Sequence, residues 1–160
     1  MSKPIDAIAG VPNAAAPLAN LVTGGQPGPA HFEALKQAGV VVVLDIRSPM
    51  EPRPFDEPAL LARLGMEYIN VPVTGGNLDD PTMERILSVV RDNQERPMLF
   101  HCASGNRVGG AMIPHLMLDR GMSEETAVEA AMRMGLRGAD VLEWGLDYVR
   151  RHRAEGGIGG

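Results

Sequence analysis

Cys102 and Arg107 are the residues of this chain whose types and spacing could do chemistry. Cys102 is the only cysteine. It lies in Pro97-Met-Leu-Phe-His-Cys-Ala-Ser-Gly-Asn-Arg-Val-Gly-Gly110, where an apolar run gives way to small residues closed by an arginine. A strand that stops at a thiol and resumes as a helix sets the sulfur over inward-facing backbone N–H groups, at the positive end of the helix dipole. A free thiol titrates near ~8.5, and a helix N-terminus with a fixed cation beside it can lower that by several units. Cys102 is therefore expected to be largely thiolate. Arg107 adds a planar fork that grips two oxygens of an oxyanion, so one turn could both hold an anion and attack it. A lone cysteine at a strand end is ordinarily a small core residue. Against that, Gly105 permits the backbone an anion loop needs, and an arginine beside a core strand end calls for an anionic partner.

The elements around this turn must deliver it. Val40-Val-Val-Val-Leu44 is a continuous apolar, β-branched run, the mark of a strand buried on both faces. Leu21-Val-Thr23, Tyr68-Ile-Asn-Val71 and Met98-Leu-Phe100 read as further strands. Pro29 to Gly39, Glu57 to Leu64 and Val108 to Leu118 read as helices, the last with Pro114 inside it. Met83, Ile86, Leu87 and Val90 fall at helical spacing behind Asp80 as expected N-cap. Ser123 caps a further helix, and Val141 to Arg151 makes the last. Strands alternating with helices predict an α/β fold with a mostly parallel sheet of four or five strands, flanked by helices. Ligands in such sheets sit at the carboxyl ends of strands, where Cys102, Arg47 and the 73–77 loop are expected to meet. Residues 1–19 are expected to form an extended N-terminal arm, 20–153 a single domain, and 154–160 a flexible tail.

Composition narrows the functional classes. With 160 residues, 44% hydrophobic and 22% charged, the chain suits one globular domain. A net charge of −5 and few aromatic residues argue against nucleic-acid binding. No apolar run approaches a bilayer span, and the first 20 residues lack a basic and an apolar signal region. A soluble protein is expected, cytoplasmic rather than periplasmic. His31 and His115 have no partners at ligand spacing, so no metal site and no cofactor is expected. A single cysteine excludes an internal disulfide, so an oxidised or persulfidic Cys102 would need an external thiol.

His101-Cys-Ala-Ser-Gly-Asn-Arg107 resembles the phosphate-binding loop of cysteine-dependent protein tyrosine and dual-specificity phosphatases. Thr23-Gly-Gly-Gln-Pro27, Val43-Leu-Asp-Ile-Arg47, Val71-Pro-Val-Thr-Gly-Gly76 and the cysteine loop, in that order, are similar to the phosphatase-like domain of β-lactamase-hydrolase-like proteins. The resemblance spans about residues 20–137 and implies a tyrosine-phosphatase-like fold. It implies Cys102 as nucleophile and Arg107 as oxyanion clamp. The N–H groups of Ala103, Ser104, Gly105, Asn106 and Arg107 would form the cradle, and His101 would hydrogen-bond the loop. Asp45, Arg47, Gly75 and Gly76 are candidates for a supporting shell.

Three departures bear on the reaction. Four residues separate Cys102 from Arg107 where the phosphatase pattern has five, giving a narrower ring similar in length to the rhodanese loop. The stretch Asn70 to Thr74, where an acid would be expected, holds no carboxylate, and losing a general acid costs about 10²- to 10⁴-fold in rate. Asp79 and Asp80 are better explained as helix caps. Val108 replaces the hydroxyl residue that usually follows the arginine. These departures favour a sulfurtransferase that moves sulfane sulfur from thiosulfate or a persulfide, through a Cys102 persulfide, to a small-thiol acceptor or cyanide. The alternative is a phosphatase that cleaves a phosphomonoester through a Cys102 cysteinyl-phosphate. A third reading is a non-enzymatic sensor that binds a small anion in the same cradle. The sequence leaves the oligomeric state open.

Overall fold

A computed structural model describes residues 2–155. Five strands, β1 (Ala15–Leu18), β2 (Leu21–Gly24), β3 (Val42–Asp45), β4 (Glu67–Asn70) and β5 (Met98–His101), form one sheet in the order β1-β2-β5-β3-β4. All neighbouring pairs are parallel except β1 with β2. The helices are α1 (Pro4–Ala7), α2 (Pro29–Gln37), α3 (Glu57–Arg63), α4 (Asp80–Asp92), α5 (Asn106–Pro114), α6 (Glu124–Arg133) and α7 (Ala139–Glu155).

The sheet is covered on both faces, as its uninterrupted apolar runs require. Side chains alternate across a strand. Val22, Val43 and Leu99 pack with Phe32, Leu35, Leu60 and Leu61 from α2 and α3 on one side. Leu21, Val42, Leu44, Met98 and Phe100 pack on the other against α4 to α7. The stripe Met83, Ile86, Leu87 and Val90 of α4 is buried there, each side chain contributing roughly 1.5–3 kcal/mol of transfer free energy. The same alternation separates the last two residues of interest. His101 turns toward α2 and α3, and Cys102 turns to the opposite side.

Several boundaries differ from the sequence reading for local reasons. The N-terminal arm carries the short α1, and its residues 15–18 pair with β2, so the sheet begins before residue 20. The 40–44 run enters the sheet as Val42–Asp45, because Val40 closes the turn after α2 with its N–H on Leu35 O. Asp79 rather than Asp80 caps α4, accepting from Thr82 N at 3.0 Å. The helix expected over 108–118 stops at Pro114 and continues as a π-helical turn, His115–Asp119, in which Arg120 N reaches back five residues to His115 O. Pro114 has no N–H to give and crowds the preceding turn, so the ladder widens there. The expected tail overlaps the end of α7, which runs to Glu155, and its residues 156–160 lie outside the described residues. Among the described residues, no helix is long and apolar enough to cross a membrane.

Candidate active site

The parallel register lines up Gly24, His101, Asp45 and Asn70 in one row across the carboxyl ends of β2, β5, β3 and β4. Cys102 lies one residue past that row. Its N–H bonds Gly24 O at 3.3 Å, and Gln26 N bonds Ala103 O at 3.0 Å, so the Thr23-Gly-Gly-Gln turn carries the cysteine loop. Gly25 is needed for this contact: a Cβ there would stand 2.6 Å from Ala103 O. On the far side Asn13 Nδ2 donates to Ser104 O at 2.7 Å. With the Ser104 carbonyl held outward, the Gly105 N–H of the same peptide turns in toward the sulfur. Gly105 N–H donates to Cys102 Sγ at 3.1 Å.

Gly105 adopts φ +101°, and a Cβ there would meet Met134 O at 2.2 Å. Only glycine fits this left-handed corner against the end of α6. It is the N-cap of α5, so the N–H groups of Asn106 and Arg107, first in that helix, have no acceptor within it. Asn106 spends its side chain elsewhere: Oδ1 accepts from Arg137 N at 2.7 Å and Gly138 N at 2.9 Å, tying the α6–α7 connection to the loop.

Arg107 makes three hydrogen bonds to two groups. Its guanidinium donates to Glu51 through both nitrogens, Nη1 to Oε2 at 2.6 Å and Nη2 to Oε1 at 2.8 Å. Nη1 also donates to Val73 O at 3.0 Å. The Glu51 carboxylate, against burial, together with the negative field of Cys102 holds the guanidinium more basic than an ordinary arginine. Arg107 in turn holds the Glu51 carboxyl below the usual carboxylate range, helped by Ser48 N at 2.6 Å. Cys102 is 1% exposed. It belongs to the buried core, but its sulfur accepts the Gly105 N–H, and its electrostatic effect reaches Arg107. Arg107 opens on a depression of about 190 Å³ lined by Val73, Thr74, Gly75, Asn106 and Asp140 among others.

A buried ionic network stands behind the loop. His101 Nε2 lies 2.7 Å from Glu57 Oε2, and its Nδ1 lies 3.2 Å from Cys102 O. Arg47 bridges the two buried carboxylates, its Nη2 2.7 Å from Asp45 Oδ2 and 3.2 Å from Glu57 Oε1. Gln26 Nε2 donates to the same Glu57 oxygen at 2.9 Å, and Tyr68 O–H donates to Asp45 Oδ2 at 2.6 Å. Burial opposes the Asp45 charge, but Arg47, His101 and Tyr68 outweigh it and hold the carboxyl below its ordinary range. Burial opposes the Arg47 charge as well, and Asp45 and Glu57 keep it raised. Burial and the Asp45 hydrogen bond push the Tyr68 phenol up to about 12. Asp45, Glu57 and His101 offer ligand atoms within 4.8 Å of one another. The Arg47 guanidinium already bridges the two carboxylates there, which makes this a salt-bridge cluster and a poor cation site.

The structure thus brings Cys102, Ala103, Ser104, Gly105, Asn106, Arg107 and His101 together. Asp45 and Arg47 pair beneath His101, and Arg47 does not join Cys102 and the 73–77 loop in the mouth. Gly75 lines the depression, whereas Gly76 spends its N–H on Thr74 Oγ1 within its own turn. Sequence reasoning missed Glu51, Glu57, Tyr68 and Asn13. Glu57 carried one available signal: a glutamate opening a helix whose following face is apolar, at the end of a proline-rich loop.

Residues 12–143 match the family model described as a DSP-PTPase phosphatase fused to NAD+ kinase. The chain belongs to this phosphatase family. No curated protein matches the sequence. Among solved structures, the putative phosphatase (DUF442) from Shewanella putrefaciens CN-32 is similar at 21% identity and a TM-score of 0.78, covering 92% of this chain and 97% of that one. The core catalytic domain of the PP-IP phosphatase SIW14 from S. cerevisiae, in complex with citrate, is similar at 18% identity and TM-score 0.72, covering 92% and 95%. A Cys-to-Ser variant of P. aeruginosa TpbA in complex with pTyr is similar at 20% identity and TM-score 0.63, covering 92% and 93%. The fold is therefore that of the tyrosine and dual-specificity phosphatases, as the cysteine-loop resemblance implied. The relatives speak for the phosphatase chemistry the sequence placed second, and give no support to the sulfur transfer it placed first.

Proposed function

We propose that the protein is a cysteine-dependent phosphatase acting on a phosphomonoester. Cys102 Sγ attacks phosphorus as the ester oxygen leaves, the N–H groups of residues 103–107 and the Arg107 fork hold the phosphoryl oxygens, and water then releases phosphate from the cysteinyl-phosphate. The observation that carries this reading is the loop itself. It places the Gly105 N–H 3.1 Å from the sulfur, and the Arg107 that closes it lines a small depression. His101, held by Glu57, would fix the loop through the Cys102 carbonyl. Family membership supports the assignment, as do neighbours crystallised with pTyr and with citrate.

The test is turnover of an aryl phosphate by the wild type and by Cys102→Ser, with thiosulfate and cyanide supplied in a parallel reaction. The reading expects phosphate release that vanishes in the variant. Thiocyanate formation without phosphate release would reinstate the sulfurtransferase that the four-residue ring and Val108 suggest.

A further inference from the structure

We propose that Glu51 is the acid that protonates the leaving oxygen of the ester, and that substrate binding itself loads it; this rests on the phosphatase reading. The stretch 70–74 holds no carboxylate. The structure instead brings one into the mouth from the β3–α3 loop. Both Glu51 oxygens sit on the Arg107 fork, at 2.6 and 2.8 Å. Those are the two donor positions a phosphoryl group would need, so carboxylate and phosphoryl group compete for one site. A bound phosphomonoester must displace Glu51 from Arg107, and the loop, anchored at Asp45–Arg47 and at α3, leaves the carboxyl near the ester oxygen.

The electrostatics of that exchange point the same way. In the free protein Glu51 is kept ionised by Arg107, by Ser48 N–H and, more weakly, by Arg47. After exchange the Arg107 interaction is spent on the phosphoryl group, and a new anion faces the carboxylate. Both changes favour proton uptake. The proton then passes from the Glu51 carboxyl to the ester oxygen as the S–P bond forms and the O–P bond breaks. The resulting carboxylate accepts a proton from the water that attacks the cysteinyl-phosphate, which restores the thiolate and the acid. A second carboxylate near Arg107 is Asp140. It lines the depression beside Arg107, but its Oδ1 accepts from Val141 N at 2.8 Å at the start of α7.

The experiment compares wild type, Glu51→Gln and Asp140→Asn on 4-nitrophenyl phosphate and on unsubstituted phenyl phosphate, with melting curves to verify folding. Phenol is the poorer leaving group and needs the proton more. Glu51→Gln is expected to lose about tenfold or less on the nitrophenyl ester and about 10²- to 10³-fold on the phenyl ester, and to lose the basic limb of its kcat–pH profile. Equal losses on both esters would make Glu51 a positioning residue for Arg107 and overturn the proposal. So would a gain on both, or a leaving-group-dependent loss in Asp140→Asn instead. Absence of phosphate release by the wild type would overturn the underlying reading, and the proposal with it, which separates the two failures.

Discussion

Replacing Glu57 by Gln is expected to destabilise the protein strongly, although Glu57 lies outside the cysteine loop. Glu57 is 1% exposed and accepts from His101, Arg47 and Gln26 at 2.7, 3.2 and 2.9 Å. An amide keeps the shape and can still accept from Arg47 and Gln26 through its oxygen, but it removes the charge, and its NH₂ can meet His101 Nε2 only when that nitrogen carries no proton. Among the described residues Asp45 is then the carboxylate left within ion-pair distance of Arg47, and Asp45 already serves Arg53 at 3.7 Å. Breaking a buried ion pair from one side costs about 3–5 kcal/mol. At ~2–4 °C per kcal/mol for a domain of this size, the melting temperature should fall by about 10 °C. Scanning calorimetry beside Glu67→Gln gives the comparison. That side chain pairs with Arg96 at 3.0 Å, but both partners are about half exposed, so its loss should cost less than ~1 kcal/mol. Because His101 links Glu57 to the Cys102 carbonyl, phosphatase activity should drop well below the variant's melting point. A Glu57→Gln melting temperature within ~2 °C of wild type would refute the reasoning that this carboxylate holds the loop.

Two further outcomes follow from the same geometry. Gly105→Ala must relieve both its φ of +101° and a Cβ 2.2 Å from Met134 O. The cost should be roughly 1–3 kcal/mol in denaturant titration, with loss of turnover; unchanged activity would show that the loop corner is not constrained as described. Of the two tyrosines, Tyr68 is pushed up to about 12 and Tyr148 is also raised, mainly by burial. Phenolate absorbance should show a step at about 12 that Tyr68→Phe removes. The Tyr68 contribution to stability is complete below its unfolded value of 10.0 and is lost as pH rises through about 12. A phenolate titration at about 12 left unchanged by Tyr68→Phe would contradict the Tyr68–Asp45 bond.

Much of the fold was legible because its signals are local. The apolar runs at Val40–Leu44 and Met98–Phe100 have no polar face, which only a doubly covered strand tolerates, and Met83, Ile86, Leu87 and Val90 announce α4 by spacing alone. The Cys102–Arg107 turn was likewise legible, since thiol, glycine and arginine lie within one short segment. The supporting groups were not. Glu57 is 44 residues from His101, and Asn13 is 91 from Ser104. Their pairing depends on strand register and on the path of loops that carry no periodicity. Glu51 was hidden for the same reason: inside a proline-rich stretch, a glutamate reads as one more solvated charge until the loop folds over Arg107. The π-helical turn escaped because the sequence marks Pro114 as a disturbance without saying which way the backbone yields.

The central claim is that Cys102 forms a covalent bond to phosphorus. Acid-quenched intact mass spectrometry of the protein during turnover of an aryl phosphate tests it directly. A gain of one phosphoryl group that maps to Cys102 and disappears in Cys102→Ser is the predicted result. Phosphate release with Cys102 unmodified throughout, or a gain of sulfur from thiosulfate with no phosphoryl adduct, would contradict it.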